Sequence, residues 1–225
     1  PYVRMFLGVV PVIKAFLLVK KDKRQLLVYS EFHHLNTSEN KKNTEALSFF
    51  NSSKILINHH DPYLEKLILS LVLENKVTQA INFIKINETK DNSKFFEAYI
   101  LKVLDSLKKN KINEASELLE EIPDFLQKEG RFNYIILNSL KQYIHVFNYK
   151  KILNDNKNFG NLSLISETFQ RCYLNDENTG AYFSKLISNN EADYSRYIFF
   201  YLSYLIKKNK FDEAKNITNE LNYIN

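Results

Sequence analysis

A six-residue phrase that recurs along the chain constrains the fold more than any other feature. Clear copies occupy residues 75–80, 110–115 and 209–214, and a degenerate copy occupies residues 41–46. The copies end in Ala46, Ala80, Ala115 and Ala214. The first three of these alanines are 34 and 35 residues apart, and Ala214 follows Ala115 after 99 residues, which is three steps of 33. A period of this length is typical of helical hairpins that stack on one another.

Each copy lies between two apolar runs with helical periodicity, so we expect it to end one helix and to begin another. Its Asn-Lys pair is a helix exit, because asparagine tolerates the left-handed conformation and lysine suits the negative end of the helix dipole. The Asn, Thr or Asp that follows is expected to cap the next helix, with Glu or Gln in its first turn. Alanine then lets two antiparallel helices approach closely. The unit is a hairpin that must stack to cover its apolar faces.

The apolar spacing within this unit resembles that of the tetratricopeptide repeat (TPR). In that family the second helix carries an early alanine and a large apolar residue four positions later. The corresponding pairs are Ala80 with Ile84, Ala115 with Leu119 and, less closely, Ala214 with Thr218. The first helix of the family carries apolar residues 16, 13, 12 and 9 positions before that alanine, and this chain matches them twice. The matching residues are Leu64, Leu67, Ile68 and Leu71, and then Ile198, Tyr201, Leu202 and Leu205. Ile68, Val103 and Leu202 stand where the family has a small residue, so the repeats are divergent.

The resemblance implies an all-α fold in which antiparallel helix hairpins stack into a right-handed TPR-like superhelix, an α-solenoid. It also implies a non-enzymatic scaffold that holds a peptide or partner segment in a concave groove, which the first helices line. The groove positions carried over to this chain are Glu65, Leu69, Ile100, Leu104, Arg196, Phe199 and Ser203. Arg196 would pair with a carboxylate of the partner and Glu65 with a lysine. The alanines expected at the closest helix approach are Ala46, Ala80, Ala115 and Ala214.

A narrower resemblance concerns the Lys-, Asn- and Ile-rich composition and the run Glu191–Tyr197. Both are similar to TPR-like proteins of AT-rich marine alphaproteobacteria. Codon bias explains the composition, which therefore carries no functional message.

The helical pattern predicts four parts of the chain. Residues 1–40 are interpreted as N-terminal capping helices or an anchor remnant, 41–147 as repeats, 148–161 as an irregular break, and 162–225 as further repeats. Helices are predicted at residues 25–35, 44–58, 62–74, 77–86, 93–109, 112–122, 131–147, 162–174, 180–189, 194–208 and 211–223, with a loop at 36–43 and a connector at 124–130.

Residues 2–19 are the most apolar stretch, but Arg4, Pro11 and Lys14 interrupt them. The apolar pieces are therefore shorter than the ~20 residues that a membrane span needs. A first helix that caps the stack is the favoured interpretation, with a signal-anchor remnant and an out-of-frame leader as alternatives. Because the first residue is Pro1 and not methionine, we expect the sequence to be a piece of a longer protein.

The composition narrows the class of protein. Four glycines and four prolines in 225 residues favour an all-helical chain, because sheet-rich folds need more turn residues. The formal net charge is +5, yet the lysines are scattered among acidic residues at predicted helix ends. A phosphate-binding surface would cluster them on one face, so no nucleic-acid partner is expected. The single cysteine, Cys172, excludes an intramolecular disulfide and is expected in the core.

Residue patterns for catalysis or metal binding are missing from the sequence. The pairs His33-His34 and His59-His60 are adjacent and lack the i,i+4 spacing of a helical metal clamp. Neither a glycine-rich phosphate loop nor a Gly-x-Ser-x-Gly elbow is present. Cys172 has no histidine near it in the sequence. We therefore expect no enzymatic activity, no catalytic residue, no cofactor and no metal site.

Aromatic residues are crowded at residues 194–204. Core packing is the favoured interpretation, while stacking on single-stranded nucleic acid and an interface are the alternatives. Two other functions stay open at this point. One is a membrane-tethered or exported TPR-like factor in bacterial envelope assembly, which requires residues 2–19 or a missing leader as its anchor. The other is an RNA-binding helical repeat protein. The cellular location is correspondingly cytoplasmic, or periplasmic and membrane-associated, in a bacterium.

Overall fold

The computed structural model describes residues 36–58, 62–155, 159–189 and 197–222. Within these ranges the secondary structure is helical and no strand occurs, so the expected all-α class is confirmed for this part of the chain. The helices are α1 (Asn36–Ser52), α2 (Pro62–Leu73), α3 (Val77–Ile86), α4 (Phe96–Lys108), α5 (Ile112–Glu120), α6 (Asp124–Lys128), α7 (Gly130–Tyr149), α8 (Asn161–Leu174), α9 (Thr179–Ile187), α10 (Ile198–Lys207) and α11 (Phe211–Asn222). Short 3₁₀ turns form at Lys54–Asn58 and Asp91–Ser93.

Most of the described helices pack against the helix that follows them in the sequence. Packed pairs joined by loops of three or four residues are α2 with α3, α4 with α5, α8 with α9, and α10 with α11. Such short loops make the two helices of a pair antiparallel, which gives helical hairpins. Contacts of α1 with α2, α3 with α4, and α9 with α10 link these hairpins to the helix before or after them.

The same backbone turn closes each of these hairpins. The residues with left-handed backbone are Asn75, Asn110, Asn175 and Asn209, with φ of 59°, 61°, 60° and 60°. In the first turn, the amide of Lys76 donates to the carbonyl of Leu71 at 2.8 Å. The amide of Asn75 donates to the carbonyl of Val72 at 3.0 Å. This pair of bonds is the Schellman motif. The helix exits that the repeated phrase predicted are confirmed at three of the asparagines, and the fourth, Asn175, lies outside the phrase.

The helices that follow these turns begin differently from the expectation. The N-cap residues of α3 and α5 are Lys76 and Lys111, and neither helix has a capping hydrogen bond from a side chain. The predicted caps by Asn, Thr or Asp are wrong there, because the Schellman turn consumes only the Asn-Lys pair and the helix starts directly after it. An acidic residue does occupy the first turn of α5, where Glu114 Oε2 lies 2.7 Å from Lys111 Nζ.

The predicted loop at residues 36–43 is wrong. These residues belong to α1, which runs without interruption from Asn36 to Ser52. The segment contains no glycine or proline, and polar residues alone do not stop a helix. The degenerate phrase at 41–46 is therefore not a turn, and Ala46 is only half-buried. The other alanines of the phrase, Ala80, Ala115 and Ala214, are 0, 0 and 8 % exposed.

Three further helix predictions differ at their boundaries. The helix predicted at 44–58 ends at Ser52 and gives way to a 3₁₀ turn. The helix predicted at 93–109 starts only at Phe96, because Asp91–Ser93 form a 3₁₀ turn. The predicted connector at 124–130 contains α6, which begins directly after Pro123.

The chain divides into two compact units, residues 1–144 (unit 1) and 145–225 (unit 2). The largest fully buried side chains of unit 1 are Leu64, Leu67, Ile68, Leu71, Ile84, Phe96, Ile100, Leu119 and Ile122. The corresponding core side chains of unit 2 are Phe183, Leu186 and Leu205. After α7, residues 151–155 have no regular secondary structure. Residues 1–35, which carry most of the predicted N-terminal capping or anchor segment, lie outside the described residues.

Candidate functional site

Helix α10 is apolar around nearly its whole circumference. It reads Ile-Phe-Phe-Tyr-Leu-Ser-Tyr-Leu-Ile-Lys, whereas a surface helix normally carries a polar outer face. On its inner side Tyr201, Tyr204 and Leu205 are 7, 9 and 0 % exposed. The ring of Phe183 in α9 stacks on Tyr201 with 5.3 Å between the ring centroids. Tyr201, Tyr204 and Leu205 pack into the core, so other apolar residues of α10 lie on its outer side.

The outer side of α10 exposes large apolar side chains. Phe199 and Ile206 are 70 and 54 % exposed. They are seven residues apart, which places them on one face with a rise of about 10 Å between them. Leu202 and Ser203 lie between them on the same face and are half-buried. We call these four residues the α10 stripe.

Lysines follow the α10 stripe directly. Lys207, Lys208 and Lys210 are exposed. Lys210 Nζ lies 2.8 Å from Glu213 Oε1. Neither Lys207 nor Lys208 forms an ion pair with another described residue. The stripe therefore ends in a cationic surface whose charge is available to a partner.

The predicted groove residues of unit 1 are less exposed than the stripe. Glu65 and Leu69 on α2 and Leu104 on α4 are half-buried. Glu65 Oε1 lies 3.5 Å from Lys66 Nζ. Ile100 on α4 is 1 % exposed and belongs to the core, so its side chain is not on a surface that a partner can touch.

In unit 2 the predicted groove residues Phe199 and Ser203 lie together in the α10 stripe. Arg196 lies outside the described residues. The sequence prediction did not include Ile206, although it follows Phe199 by seven residues and so shares its helical face. The seven-residue spacing in the sequence is therefore enough to place Ile206 on the same helical face as Phe199.

The crowded aromatic residues divide into core and surface. Tyr197, Tyr201 and Tyr204 are buried. Phe200 is half-buried, and its ring centroid lies 5.2 Å from that of Phe169. Core packing, the favoured interpretation, is therefore confirmed for these side chains, whereas Phe199 is the exposed member of the described cluster.

Metal binding, nucleophilic chemistry and ion pairing are the roles open to the titratable side chains of the described residues. In the ranges that the structure covers, no three His, Cys, Asp or Glu side chains are placed to hold a metal ion. Burial raises the pKa of the Cys172 thiol, and the charges of Lys207 and Lys208 lower it by less. The thiol is thus protonated at neutral pH and is a poor nucleophile. Arg171 lies 2.6 Å from Glu167 and 3.2 Å from Asp176, which ties α8 to the turn that follows it.

Over the residues that the structure describes, these observations define a helical protein with an apolar stripe beside a cationic helix end. Comparisons of the chain with models of protein families, with curated proteins and with solved structures found no match. Among the helices described above, none combines the length and the apolar character that a bilayer crossing requires.

Proposed function

We propose that the protein is a non-enzymatic interaction scaffold that holds an apolar segment of a partner protein. The α10 stripe carries this proposal, because Phe199 and Ile206 remain 70 and 54 % exposed on a helix whose other face is core. Contiguous exposed apolar surface of this kind marks interaction sites in soluble proteins. Covering the two side chains contributes roughly 2–4 kcal/mol to binding, when the value for full burial is scaled by their exposed fractions.

The same proposal places the hairpins in a right-handed, TPR-like α-solenoid. Two observations support it. The four hairpins end their first helix in the same Schellman turn, and in each unit a hairpin packs on the helix that precedes or follows it. Stacked hairpin repeats have this local organisation, in which each hairpin contacts its neighbours. First helices such as α10 then line the side that receives the partner.

The stripe and its lysines specify the chemistry of the partner. Two apolar side chains of the partner must reach positions about 10 Å apart to cover Phe199 and Ile206. They are two or four residues apart if the segment is extended, because every second side chain of an extended chain lies on one face, or about seven apart if it is helical. Acidic residues next to the second of them would meet Lys207 and Lys208. The partner segment is therefore apolar at one end and acidic at the other.

Selection from a library of random peptides displayed on phage tests the proposal. The 225-residue chain is immobilised, and enriched peptides are synthesised for affinity measurement by fluorescence polarisation. We expect them to carry paired apolar residues followed by Asp or Glu. The double variant Phe199→Ser/Ile206→Ser should bind them roughly 30- to 1,000-fold more weakly, which corresponds to the lost burial.

Phe125→Ser is the matched control. Phe125 is 68 % exposed, close to the value for Phe199, but it lies in unit 1. This variant should bind the selected peptides as the wild type does, and both variants should keep the helical circular dichroism spectrum. Equal weakening by the control, unchanged affinity of the double variant, or a library without any enriched sequence would refute the proposal.

A further inference from the structure

An open cleft of about 400 Å³ lies where the start of α9, the end of α10 and the start of α11 meet. Its size falls within the range of small-molecule sites, about 300–1,000 Å³. Gly180 and Ser184 line it from α9, and Tyr201 and Tyr204 line it from α10. These tyrosines are only 7 and 9 % exposed, and neither hydroxyl makes a hydrogen bond to another described residue. Two phenol side chains whose hydroxyl groups have no hydrogen-bond partner among the described residues therefore line the cleft.

The equivalent place in unit 1 holds an ion-paired carboxylate. The Schellman asparagines align the two units, Asn75 with Asn175 and Asn110 with Asn209. In unit 1, Asp105 Oδ2 on α4 lies 2.6 Å from Lys109 Nζ and 3.4 Å from Lys85 Nζ on α3. A carboxylate of the protein thus joins two lysines from neighbouring hairpins.

Unit 2 keeps the lysines and lacks the carboxylate. In the alignment Lys109 corresponds to Lys208, Lys85 to Lys185, and Asp105 to Tyr204. Neither Lys185 nor Lys208 forms an ion pair within the described part of the chain. The wall of the cleft is also reduced, since the residues that correspond to Ile81 and Ile84 are Ala181 and Ser184. Tyr204 stands where unit 1 has the carboxylate, and the two smaller residues leave a cleft beside it.

Two further charged residues of the cleft, Glu213 and Glu177, differ in whether they form an ion pair. Glu213 is engaged by Lys210 at 2.8 Å. Glu177 lines the cleft from the loop between α8 and α9 and has no cationic partner among the residues described here. Burial, and then the charge of Glu213, raise the pKa of the Tyr201 phenol, so its hydroxyl stays neutral and can donate a hydrogen bond. The cleft thus offers an unpaired cation at Lys208, an unpaired carboxylate at Glu177 and hydroxyl groups on its floor.

We propose that this cleft binds a small zwitterionic carboxylate of the free amino acid or dipeptide class. The carboxylate of the ligand lies against Lys208, as the Asp105 carboxylate lies against Lys109 in unit 1. The ammonium group of the ligand faces Glu177, and the hydroxyl groups of Tyr201 and Tyr204 donate to the ligand. The exposed residues of the α10 stripe do not line the cleft, and Lys208 is the residue that this site shares with the proposed partner surface.

Binding is tested by nuclear magnetic resonance on the full chain labelled with ¹⁵N. The probes are the amino acids of proteins and the dipeptide Ala-Ala, each added to saturation, followed by calorimetry for any that bind. We expect at least one probe to shift the amide signals of Gly180 and Ser184 in a saturable manner. Its N-acetyl and carboxamide derivatives should each bind at least about tenfold more weakly, because each lacks one charge. A panel without saturable binding, or a blocked derivative that binds as tightly as its parent, would overturn the proposal.

Matched variants locate the binding probe. Lys208→Gln should weaken binding at least about tenfold, while the same change at the neighbouring exposed Lys207 should leave it unchanged. Ser184→Ile introduces the side chain found in unit 1 and should abolish binding by filling the cleft, whereas Ser188→Ile, at the end of α9, should not. Thermal unfolding of each variant shows that it is folded. Equal losses for the two lysine variants, or full binding by Ser184→Ile, would contradict the site.

Discussion

Replacement of Asn110 by glycine and by alanine distinguishes the recurring turn from ordinary helix propensity. Asn110 has a φ of 61°, which an alanine adopts only under strain. Two backbone hydrogen bonds depend on this conformation. The amide of Asn110 donates to the carbonyl of Leu107 at 3.0 Å, and the amide of Lys111 donates to the carbonyl of Ser106 at 2.9 Å. Asn110 is exposed, so the substitutions act through the backbone and not through packing.

The two substitutions should differ in stability by a measurable amount. Alanine in the left-handed conformation costs about 1–2 kcal/mol. Glycine avoids this strain but loses about 0.5–1 kcal/mol more than alanine in chain entropy. The net expectation is that Asn110→Gly is more stable than Asn110→Ala by about 1 kcal/mol. For a chain of this size the difference corresponds to about 2–4 °C in Tm.

Thermal unfolding followed by far-UV circular dichroism measures this difference, and Asn82 supplies the control. Asn82 is exposed within α3, where the backbone is helical. There alanine should be more stable than glycine by about 1 kcal/mol, so the sign of the difference reverses between the two positions. A result in which alanine is the better residue at both positions would refute the left-handed turn at Asn110.

Three further predictions concern packing and charge. Ala115 is fully buried, so the substitution Ala115→Leu should overpack the hairpin and lower its stability by about 1–3 kcal/mol. Ala46 is only half-buried and supplies the control, so an equal loss of stability for Ala46→Leu would contradict this prediction. Burial acts to raise the pKa of Asp105, but two neighbouring lysines outweigh it and lower that pKa. A carboxyl group whose pKa is lowered by folding stabilises the protein above its unfolded-state pKa, and this stability is lost in acid. The Tm should therefore fall more steeply from about pH 5 to about pH 3 in the wild type than in the variant Asp105→Asn. Parallel curves of Tm against pH would disprove the pairing. A Cβ atom at Gly180 would meet the ring of Tyr204 at 3.7 Å, an ordinary contact, so Gly180→Ala should raise the stability by about 0.5–1 kcal/mol, and a lower Tm would argue against this packing.

The hairpins were predictable because their turn is local. A left-handed residue at the end of a helix favours glycine or asparagine, and the sequence supplies asparagine at the turn of each of the four hairpins. The helix end before Asn175 is confirmed, but the repeated phrase does not include this turn, because aspartate follows Asn175 in place of lysine and glycine stands at 180 where the phrase has alanine. Ile100 and Phe199 occupy equivalent positions, yet one is 1 % and the other 70 % exposed. Their burial depends on how the surrounding helices cover each position, so the period alone cannot predict it.

The two units place the same turn lysine in different surroundings. In unit 1 the turn brings Lys109 to Asp105, and its charge is neutralised within the protein. In unit 2 the equivalent Lys208 follows Tyr204, and no described carboxylate takes its charge. A partly exposed ion pair contributes about 0–1 kcal/mol, so exchanging the aspartate for a tyrosine costs a hairpin little stability. The backbone bonds of the turn do not involve that side chain, which allows the position to vary while the hairpin is kept. The backbone bonds of the turn therefore maintain the hairpin. The side chains around the turn can differ between the units without loss of the hairpin, and so can the ligands that we propose for them.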